Sequence, residues 1–344
     1  MTNRTAATIP DLYPDPFEER SSLLLRDNLQ LLGGRFRFES NSHRLLHLVD
    51  RAYAGLPQHR LSRTPPRMRV GLVLRAAGSR HSRGNPPELE MLSGAGFLGG
   101  ATAPSDFVAI SPAQHAALVG VSARMLRFPY HTRYELIEFA VFTLAARIQG
   151  LVSLHAACVG KHGRGLLLMG PSGAGKSTVA LGTLLQGLDF VSEDSTFVAP
   201  DTMLATGVAN FLHVRADSLR WVTRARDAAA IRRSPVIQRR SGVRKFEVDL
   251  RRGSYRLAPE PLKLASVVFL SARSAGAGPL LTPLSRKDLL AKLCAAQAYA
   301  ARQPHWGAFS RNVARLGGFE LRRGRHPLES VEALADLLER PARG

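Results

Sequence analysis

The sequence predicts an α/β protein with two domains. The main observation is a strand–turn–helix unit, in which an apolar run at 166–169 leads through a glycine-rich turn into a helical pattern at 178–185. Strand-like and helix-like runs also alternate along much of the chain. The 344 residues exceed the roughly 250–300 that one core usually supports. We therefore predict a smaller α+β domain at 1–130 and a larger α/β domain at 131–344.

The composition argues against a membrane or secreted protein. Hydrophobic residues make up 45% of the chain, but no apolar run approaches the ~20 residues that cross a bilayer. Residues 1–22 contain prolines and acidic side chains where a signal peptide has an apolar core. Two cysteines are too few for a disulfide framework. We expect a cytoplasmic protein with no membrane partner.

The net charge of +20 raises the question of nucleic-acid binding. The basic residues are spread along the chain, and no DNA- or RNA-binding module is present by pattern. A high arginine content also follows from GC-rich coding. Nucleic acid is therefore not an expected partner.

In the first 130 residues we predict a helix, a strand, a second helix and a second strand, at 17–32, 35–40, 43–54 and 68–74. The lead-in at 1–17 and the stretches 56–67 and 76–104 are predicted to be irregular. The segment 94–99 matches G-x-G-x-x-G. It lacks the strand and helix that a dinucleotide site requires, so we predict a flexible turn.

In the larger domain the predicted elements alternate between helices and strands. An apolar helix at 134–149 opens the domain and is expected to be buried against a sheet. Strands at 151–159 and 165–169 flank a tight turn at 160–164. The later predicted elements are a strand at 190–191, a hairpin at 196–205, strands at 246–250 and 264–270, a helix at 286–302, a strand at 319–321 and a helix at 328–338.

The glycine-rich turn at 170–177, between the apolar run at 166–169 and the helical pattern at 178–185, fits the pattern G-x-x-x-x-G-K-[ST] at every fixed position. Such loops bind triphosphates through backbone N–H groups and the positive end of the following helix. Lys176 can reach the β- and γ-phosphates, and the Ser177 hydroxyl can bind Mg²⁺. The sequence thus predicts an ATP and Mg²⁺ site. Its residues are Gly170, Pro171, Ser172, Gly173, Ala174, Gly175, Lys176, Ser177 and Thr178.

Three further side chains are candidates for the same site. Asp194 follows the strand after the loop helix, at the edge where α/β sheets bind ligands. It can hold a metal ion or accept a proton, and Glu193 beside it has the same options. His155 precedes the loop in Leu-His-Ala. It can orient a base, but a core histidine fits the pattern equally well.

These residues resemble the bacterial HPr serine kinase/phosphorylases and their kinase relatives over about 150–270. His155 precedes Lys176 by 21 positions and Asp194 follows it by 18. The resemblance implies a P-loop kinase domain of the HPr kinase/phosphoenolpyruvate-carboxykinase-like type. It implies that Asp194 is the general base for a serine hydroxyl, supported by His155, while Lys176 binds phosphates. Ser177, with Glu193, is the predicted metal ligand.

The chain departs from this family at two positions. The acidic pair is Glu193-Asp194, where the family has two aspartates. Histidine stands at position 213, where the family has a metal-binding glutamate, and Asp217 is a candidate substitute. These departures place the reverse phosphorylase reaction and HPr recognition in question. Related kinases that phosphorylate serines of modified peptides fit the sequence better.

The arginine-rich segment 224–245 is predicted to be a mobile loop. It is either a solvated basic loop or a lid, and in a lid Arg244 is the candidate for transition-state charge stabilisation. The predicted function is ATP-dependent phosphoryl transfer to a serine of a peptide or small protein. A small-metabolite kinase and a nucleotide-binding regulator are the alternatives. The sequence leaves open whether the chain forms a homo-oligomer.

Overall fold

The computed structural model describes residues 24–75, 88–103, 105–171 and 173–340. The predicted lead-in at 1–17, residues 76–87 of a predicted loop, and Ser172 lie outside them. The first strands are β1 (Leu25–Leu31), β2 (Gly34–Ser40), β3 (Arg67–Arg75), β4 (Glu90–Gly94), β5 (Phe97–Ala103), β6 (Asp106–Ser111) and β7 (Ala116–Ser122). They form one mixed sheet in the order β1-β2-β3-β7-β6-β5-β4.

Helices pack on this first sheet and complete its core. They are α1 (His43–Tyr53), the short α2 (Pro129–His131), a π-helical turn (Thr132–Ile137) and α3 (Glu138–Gln149). Helix α1 buries Leu45, Leu48 and Val49, the i, i+3, i+4 spacing of an amphipathic helix. The predicted burial of α3 against a sheet is confirmed, and the sheet it contacts is this first one.

The predicted helix at 17–32 is wrong where the structure describes it. Strand β1 occupies Leu25–Leu31 and pairs with β2. Leu32 and Gly33 form the two-residue turn with φ of 50° and 83°, the left-handed pair that tight hairpins favour. The leucine spacing fits a helix locally, but strand pairing buries Leu31 and Leu32 in the sheet core. Tertiary packing therefore decides the structure.

The predicted loop at 76–104 is wrong for β4 and β5, which form a hairpin. Its tip, Ala95 and Gly96, has left-handed φ values of 47° and 79°. The predicted turn within 94–99 is confirmed there. Low hydrophobic alternation around the glycines concealed the two strands.

The second part of the chain contains a nine-stranded mixed sheet. Its strands are β8 (Val152–His155), β9 (Ala157–Lys161), β10 (Arg164–Met169), β11 (Asp189–Ser192), β12 (Ser195–Ala199), β13 (Leu204–Gly207), β17 (Leu262–Ser274), β18 (Leu281–Pro283) and β19 (Gly318–Arg323). The order is β11-β9-β10-β17-β13-β12-β8, with β19 also beside β17 and β18 beside β19. A separate three-stranded sheet has the order β14-β16-β15, with β14 (Phe211–Val214), β15 (Val236–Gln238) and β16 (Arg244–Asp249).

Strand β10 lies inside the larger sheet, pairing with β9 and in parallel with β17. The helices of this part are α4 (Lys176–Leu185), α5 (Ala225–Arg232), α6 (Arg286–Ala296), α7 (Trp306–Leu316) and α8 (Pro327–Glu339). Leu166 and Leu168 join the core that contains α4 and α8. Leu167 and Met169 join the core that contains α6 and α7. Burial on both faces explains the uninterrupted apolar run.

The structure corrects two further predictions. The arginine-rich segment 224–245 is largely ordered as α5, β15 and the start of β16, so it is not one mobile loop. The predicted helix at 286–302 ends at Ala296, and α7 had no predicted counterpart. The predicted hairpin at 196–205 and the last helix are confirmed. Within the described residues, no helix combines the length and apolar character needed to cross a membrane.

Candidate functional site

The glycine-rich loop connects the end of β10 to the first turn of α4. Gly173 and Gly175 have left-handed φ values of 82° and 98°, which glycine adopts without steric cost. The Ala174 amide donates to the Pro171 carbonyl at 3.1 Å. Helix α4 then begins at Lys176, so the positive end of a ten-residue helix adjoins the loop. This is the local geometry that anion-binding loops require.

Lys176, Asp194 and His155 form one cluster beside the loop. Lys176 Nζ donates to Asp194 Oδ1 at 2.5 Å and lies 3.2 Å from His155 Nε2. His155 Nδ1 is 3.2 Å from the same carboxylate oxygen. The structure thus brings together three residues that the sequence singled out.

Strand pairing explains why His155 and Asp194 meet. His155 ends β8, and its partner across the ladder is Ser195, the first residue of β12. The Gln297 side chain also accepts from the His155 backbone N–H at 2.9 Å and donates to its carbonyl at 3.0 Å. Gln297 is 4% exposed. Sequence reasoning missed Gln297, because its role depends on a contact across 142 residues.

Glu193 and Ser177 form a second pair at the start of α4. Ser177 Oγ donates to Glu193 Oε1 at 2.8 Å. The second carboxylate oxygen accepts from the His213 backbone N–H at 2.9 Å and lies 3.1 Å from His213 Nδ1. His213 therefore orients Glu193. This is a supporting role for the position where the resemblance would place a metal ligand.

The charges around these acids keep both ionised. Burial raises the pKa of Asp194, but the charges of Lys176 and His155 outweigh it, so the pKa lies below its usual value. Burial also raises the pKa of Glu193, and hydrogen bonds and charge from His213 reverse the shift. For His213, burial lowers the pKa, but its bonds to Glu193 and Glu247 raise it overall. His213 is thus held toward the imidazolium form.

Further polar residues hold His213 in place. Tyr134 Oη lies 3.2 Å from His213 Nε2. Glu247 stands opposite His213 in the β14–β16 ladder and is 2% exposed. It accepts hydrogen bonds from Arg133 and, at 3.2 Å, from Arg51. A polar chain that is buried except at Arg51 therefore connects α1 and the π-helical turn with Glu193.

A cavity of about 580 Å³ opens over the loop. Gly170, Ser177 and Thr178 line it, together with both acidic residues and His155. Eight basic side chains and three acidic ones lie in its wall; the basic ones are Lys176, Arg215, Arg220, Arg239, Lys245, Arg322, Arg323 and Arg325. This excess of positive charge suits a polyphosphate.

The structure does not bring Arg244 into this wall, whereas Arg239 and Lys245 line it. Arg244 is exposed at the start of β16, and neighbouring strand residues point to opposite sides. Burial, with the charge of Arg239, lowers the pKa of Lys245. The Nε of Arg239 is buried and has no hydrogen-bond partner among the described residues. An unsatisfied donor of this kind suits an anionic ligand.

Two other wall residues bear on what the cavity can hold. Asp217, the candidate substitute ligand, lines the cavity, but its carboxylate pairs with Arg215 at 3.1 Å. Trp221 also lines it and meets the His326 ring edge-on at 4.9 Å. Sequence reasoning missed Trp221, although tryptophan occurs only twice in the chain.

The oxygen donors fit a magnesium site that is completed by other ligands. Within the described chain, no three His, Cys, Asp or Glu side chains form a metal cluster. One hydroxyl and one carboxylate, Ser177 and Glu193, do lie together. Mg²⁺ typically takes one or two carboxylates, and water and substrate phosphates supply the remaining ligands. Ser177 and Glu193 would hold such an ion.

No protein-family model matches the chain, and no curated protein matches it significantly.

Proposed function

We propose that this protein is a Mg²⁺-dependent kinase, which transfers the γ-phosphoryl group of ATP to a serine hydroxyl of a peptide or small protein. The observation that carries the proposal is the cluster of Lys176, Asp194 and His155 beside a glycine-rich loop. The basic cavity over the loop supports a triphosphate substrate. The resemblance to HPr serine kinases supports serine as the acceptor.

In the proposed reaction, the serine Oγ attacks the γ-phosphorus in line with the leaving group. The new Oγ–P bond forms as the bond to the β,γ-bridging oxygen breaks, leaving ADP and phosphoserine. The proton of the hydroxyl passes to Asp194. Loop amides, Lys176 and Arg239 stabilise the charge on the transferred group, which is the main protein contribution in this chemistry.

Lys176 can pair either with Asp194 or with the phosphates of a bound nucleotide. Its bond to Asp194 contributes to the low pKa of that carboxylate, and a weakly basic carboxylate is a poor proton acceptor. Phosphates compete with Asp194 for the Lys176 ammonium. Substrate binding is therefore expected to raise the pKa of Asp194 and so to activate it as a base. His155 stays beside Asp194 as an orienting group.

The magnesium ion would supply charge neutralisation on the β- and γ-phosphate oxygens when bound. Glu193 and Ser177 are the residues that would hold it. His213 fixes the Glu193 carboxylate by two contacts, so the carboxylate faces the loop before any ligand arrives.

The test uses γ-labelled ATP, Mg²⁺ and a lysate of the source cells. We expect a labelled peptide or protein band with the intact chain, and none with the Asp194→Asn or Lys176→Ala variant. ATP binding is followed separately by Trp221 fluorescence, and Trp306→Phe isolates that signal. Binding and Mg²⁺-dependent turnover without any acceptor would contradict the kinase assignment.

A nucleotide-binding regulator is the second candidate. The observation that favours it is the 2.5 Å ion pair between Lys176 and Asp194, since this pair occupies both the phosphate ligand and the base. If the pair persists with nucleotide bound, nucleotide binding will quench Trp221 fluorescence, but no phosphate will be transferred. A small-metabolite kinase would instead label only low-mass products.

A further inference from the structure

A second cavity, of about 830 Å³, meets the 580 Å³ cavity over the glycine-rich loop, which we call the phosphate cavity, at the candidate base Asp194. His155 and Asp194 lie in the walls of both. An acceptor hydroxyl must reach Asp194 from the side that the triphosphate does not occupy. The second cavity provides that approach. We call it the acceptor groove.

Helix α3 forms one wall of the acceptor groove. Phe139, Phe142, Thr143 and Ala146 line it, and their i, i+3, i+4, i+7 spacing places them on one stripe of the helix. Leu144, on a different stripe of α3, is fully buried in the core of the first sheet. The apolar residues that line the groove are only partly buried against that core, so the helix is apolar on two sides and the partly buried side faces the groove. Phe142 also meets Phe197 at 5.1 Å between ring centroids.

The rim of the groove carries large apolar side chains that are open to solvent. Met91, Leu92 and Tyr299 line it and are 64%, 61% and 64% exposed. They are three of the seven exposed large hydrophobic residues among the described ones. Such clustering marks a binding surface, because scattered exposed residues would not share one groove.

The strand at the rim favours an extended chain as the ligand. Strand β4 ends the first sheet, and β5 is its partner within the described residues. Met91, Leu92 and Ser93 are consecutive and all line the groove, although neighbouring strand residues point to opposite faces. Leu98 and Gly99 of β5 line the groove as well, so it runs along the β4–β5 hairpin. Among the described residues, the other edge of β4 has no partner strand, and such an edge can bind an extended peptide.

We propose that the acceptor is an extended peptide segment that places a large apolar side chain in this groove, next to the serine that reaches Asp194. The proposal rests on the proposed kinase function and narrows its substrate class. The serine lies between the two cavities, and the neighbouring apolar residue packs against α3 and Phe197. Burying such a side chain is worth at least about tenfold in affinity.

The test uses synthetic ten-residue peptides with one central serine, flanked by leucine or phenylalanine in one set and by glycine or aspartate in the other. Transfer from γ-labelled ATP gives kcat/KM. Fluorescence anisotropy of the serine-to-alanine peptides, with ADP present, gives binding without chemistry. The variants are Leu92→Ser at the rim and Ala298→Trp, which fills the groove from an exposed position. Leu118→Ser is the matched control, because it is an exposed apolar residue of the same sheet outside the groove.

We expect the apolar-flanked peptides to be phosphorylated at least about tenfold better. Ala298→Trp and Leu92→Ser should remove that preference and weaken anisotropy binding, while the KM for ATP and the Leu118→Ser control stay unchanged. Equal transfer to both peptide sets, or a preference that survives Ala298→Trp, overturns the groove assignment and leaves the kinase intact. Transfer to free serine or glycerol alone overturns the peptide acceptor. Nucleotide binding with no transfer to any acceptor overturns the kinase itself.

Discussion

Arg239 and Arg244 stand five positions apart, but only Arg239 lines the phosphate cavity. In the proposed kinase, Arg239→Ala should lower kcat/KM by about 10²-fold, as loss of one transition-state donor typically does. Arg244→Ala should stay within about twofold of the intact chain, because its side chain is exposed outside the wall. Steady-state kinetics of both variants checks this. The reverse ranking would restore the role that the sequence predicted for Arg244.

Glu193 controls the metal requirement in the proposed site. Glu193→Gln removes a carboxylate ligand but keeps the side chain's shape, so half-saturation with Mg²⁺ should need about 10- to 100-fold more metal. Saturating Mg²⁺ should restore much of the rate. Glu320→Gln, at an acid that pairs with Lys292 at 2.9 Å, is the control. An unchanged Mg²⁺ profile in Glu193→Gln would remove Glu193 from the metal site.

Glu138 should make the stability of the fold depend on pH. Burial raises the pKa of Glu138 to about 7, against the lowering influence of Arg133 and His213, whereas the carboxyl titrates near 4.5 when exposed. Because the folded-state pKa is the higher one, the free energy of unfolding is not reduced by Glu138 below pH 4.5, where the carboxyl is protonated in both states. It falls as the pH rises toward 7, because the unfolded chain then loses this proton while the folded chain keeps it. The loss amounts to about 3 kcal/mol.

Glu138→Gln tests that pH dependence directly. Chemical unfolding between pH 4.5 and 7.5 should show a free energy of unfolding that falls less steeply in the variant. Glu90→Gln, on the exposed strand β4, should keep the slope of the intact chain. Identical slopes in Glu138→Gln and the intact chain would show that Glu138 does not hold its proton in the fold.

At the scale of elements, the turn between β9 and β10 carries avoidable strain. His162 and Gly163 form a two-residue hairpin loop with φ of 53° and 74°. Asparagine tolerates the left-handed conformation better than other non-glycine residues. His162→Asn should therefore stabilise the protein by about 0.5–1 kcal/mol, while His162→Val should destabilise it. Thermal unfolding measures both, and a lower Tm in His162→Asn would contradict the turn assignment.

The elements that the sequence predicted best are those with a local cause. The turn at 160–164, strand β10 and helix α4 follow from glycine positions and short-range periodicity, and the structure confirms them. The prediction at β1 was wrong because its leucines fit both the helical and the strand period, and pairing with β2 decided between them. The prediction of a mobile loop at 224–245 was wrong because the segment is ordered by α5 and by pairing of β15 with β16. Neither has strong apolar periodicity.

The same division holds for the candidate site across the whole molecule. The loop, Lys176 and Asp194 lie within a short stretch of chain, so their spacing alone could place them together. Gln297 reaches the site through a contact across 142 residues, and Glu247, beside His213, is held by Arg133 across 114 residues. No local pattern announces such contacts. The prediction of residues 1–130 as a separate domain, with no role assigned, also could not foresee that Arg51 would support Glu247.

Polar contacts, two of them buried, tie α1 and the chain just after it to the second part of the chain. The Asn210 side chain donates to the Ala52 carbonyl at 3.0 Å, and Arg251 donates to the Ala54 carbonyl at 3.0 Å. His59 lies 2.7 Å from Thr206 Oγ1. Cutting at the predicted domain boundary removes one partner from each of these pairs. Buried polar groups without partners each cost about 1–3 kcal/mol.

The fragment 131–344 should therefore fail to fold as an independent unit. It keeps α3 but loses the sheet that covers Val141 and Leu144, so it should expose that apolar stripe and bind a hydrophobic dye. We expect weak near-ultraviolet circular dichroism, no cooperative melting and no nucleotide-dependent change in Trp221 fluorescence. The fragment 150–344, which lacks α3 as well, controls for the exposed stripe alone. It should bind less dye but still bind no nucleotide, because Glu247 loses both Arg51 and Arg133. Cooperative melting of 131–344 near the Tm of the full chain, with nucleotide binding, would establish it as a self-sufficient domain.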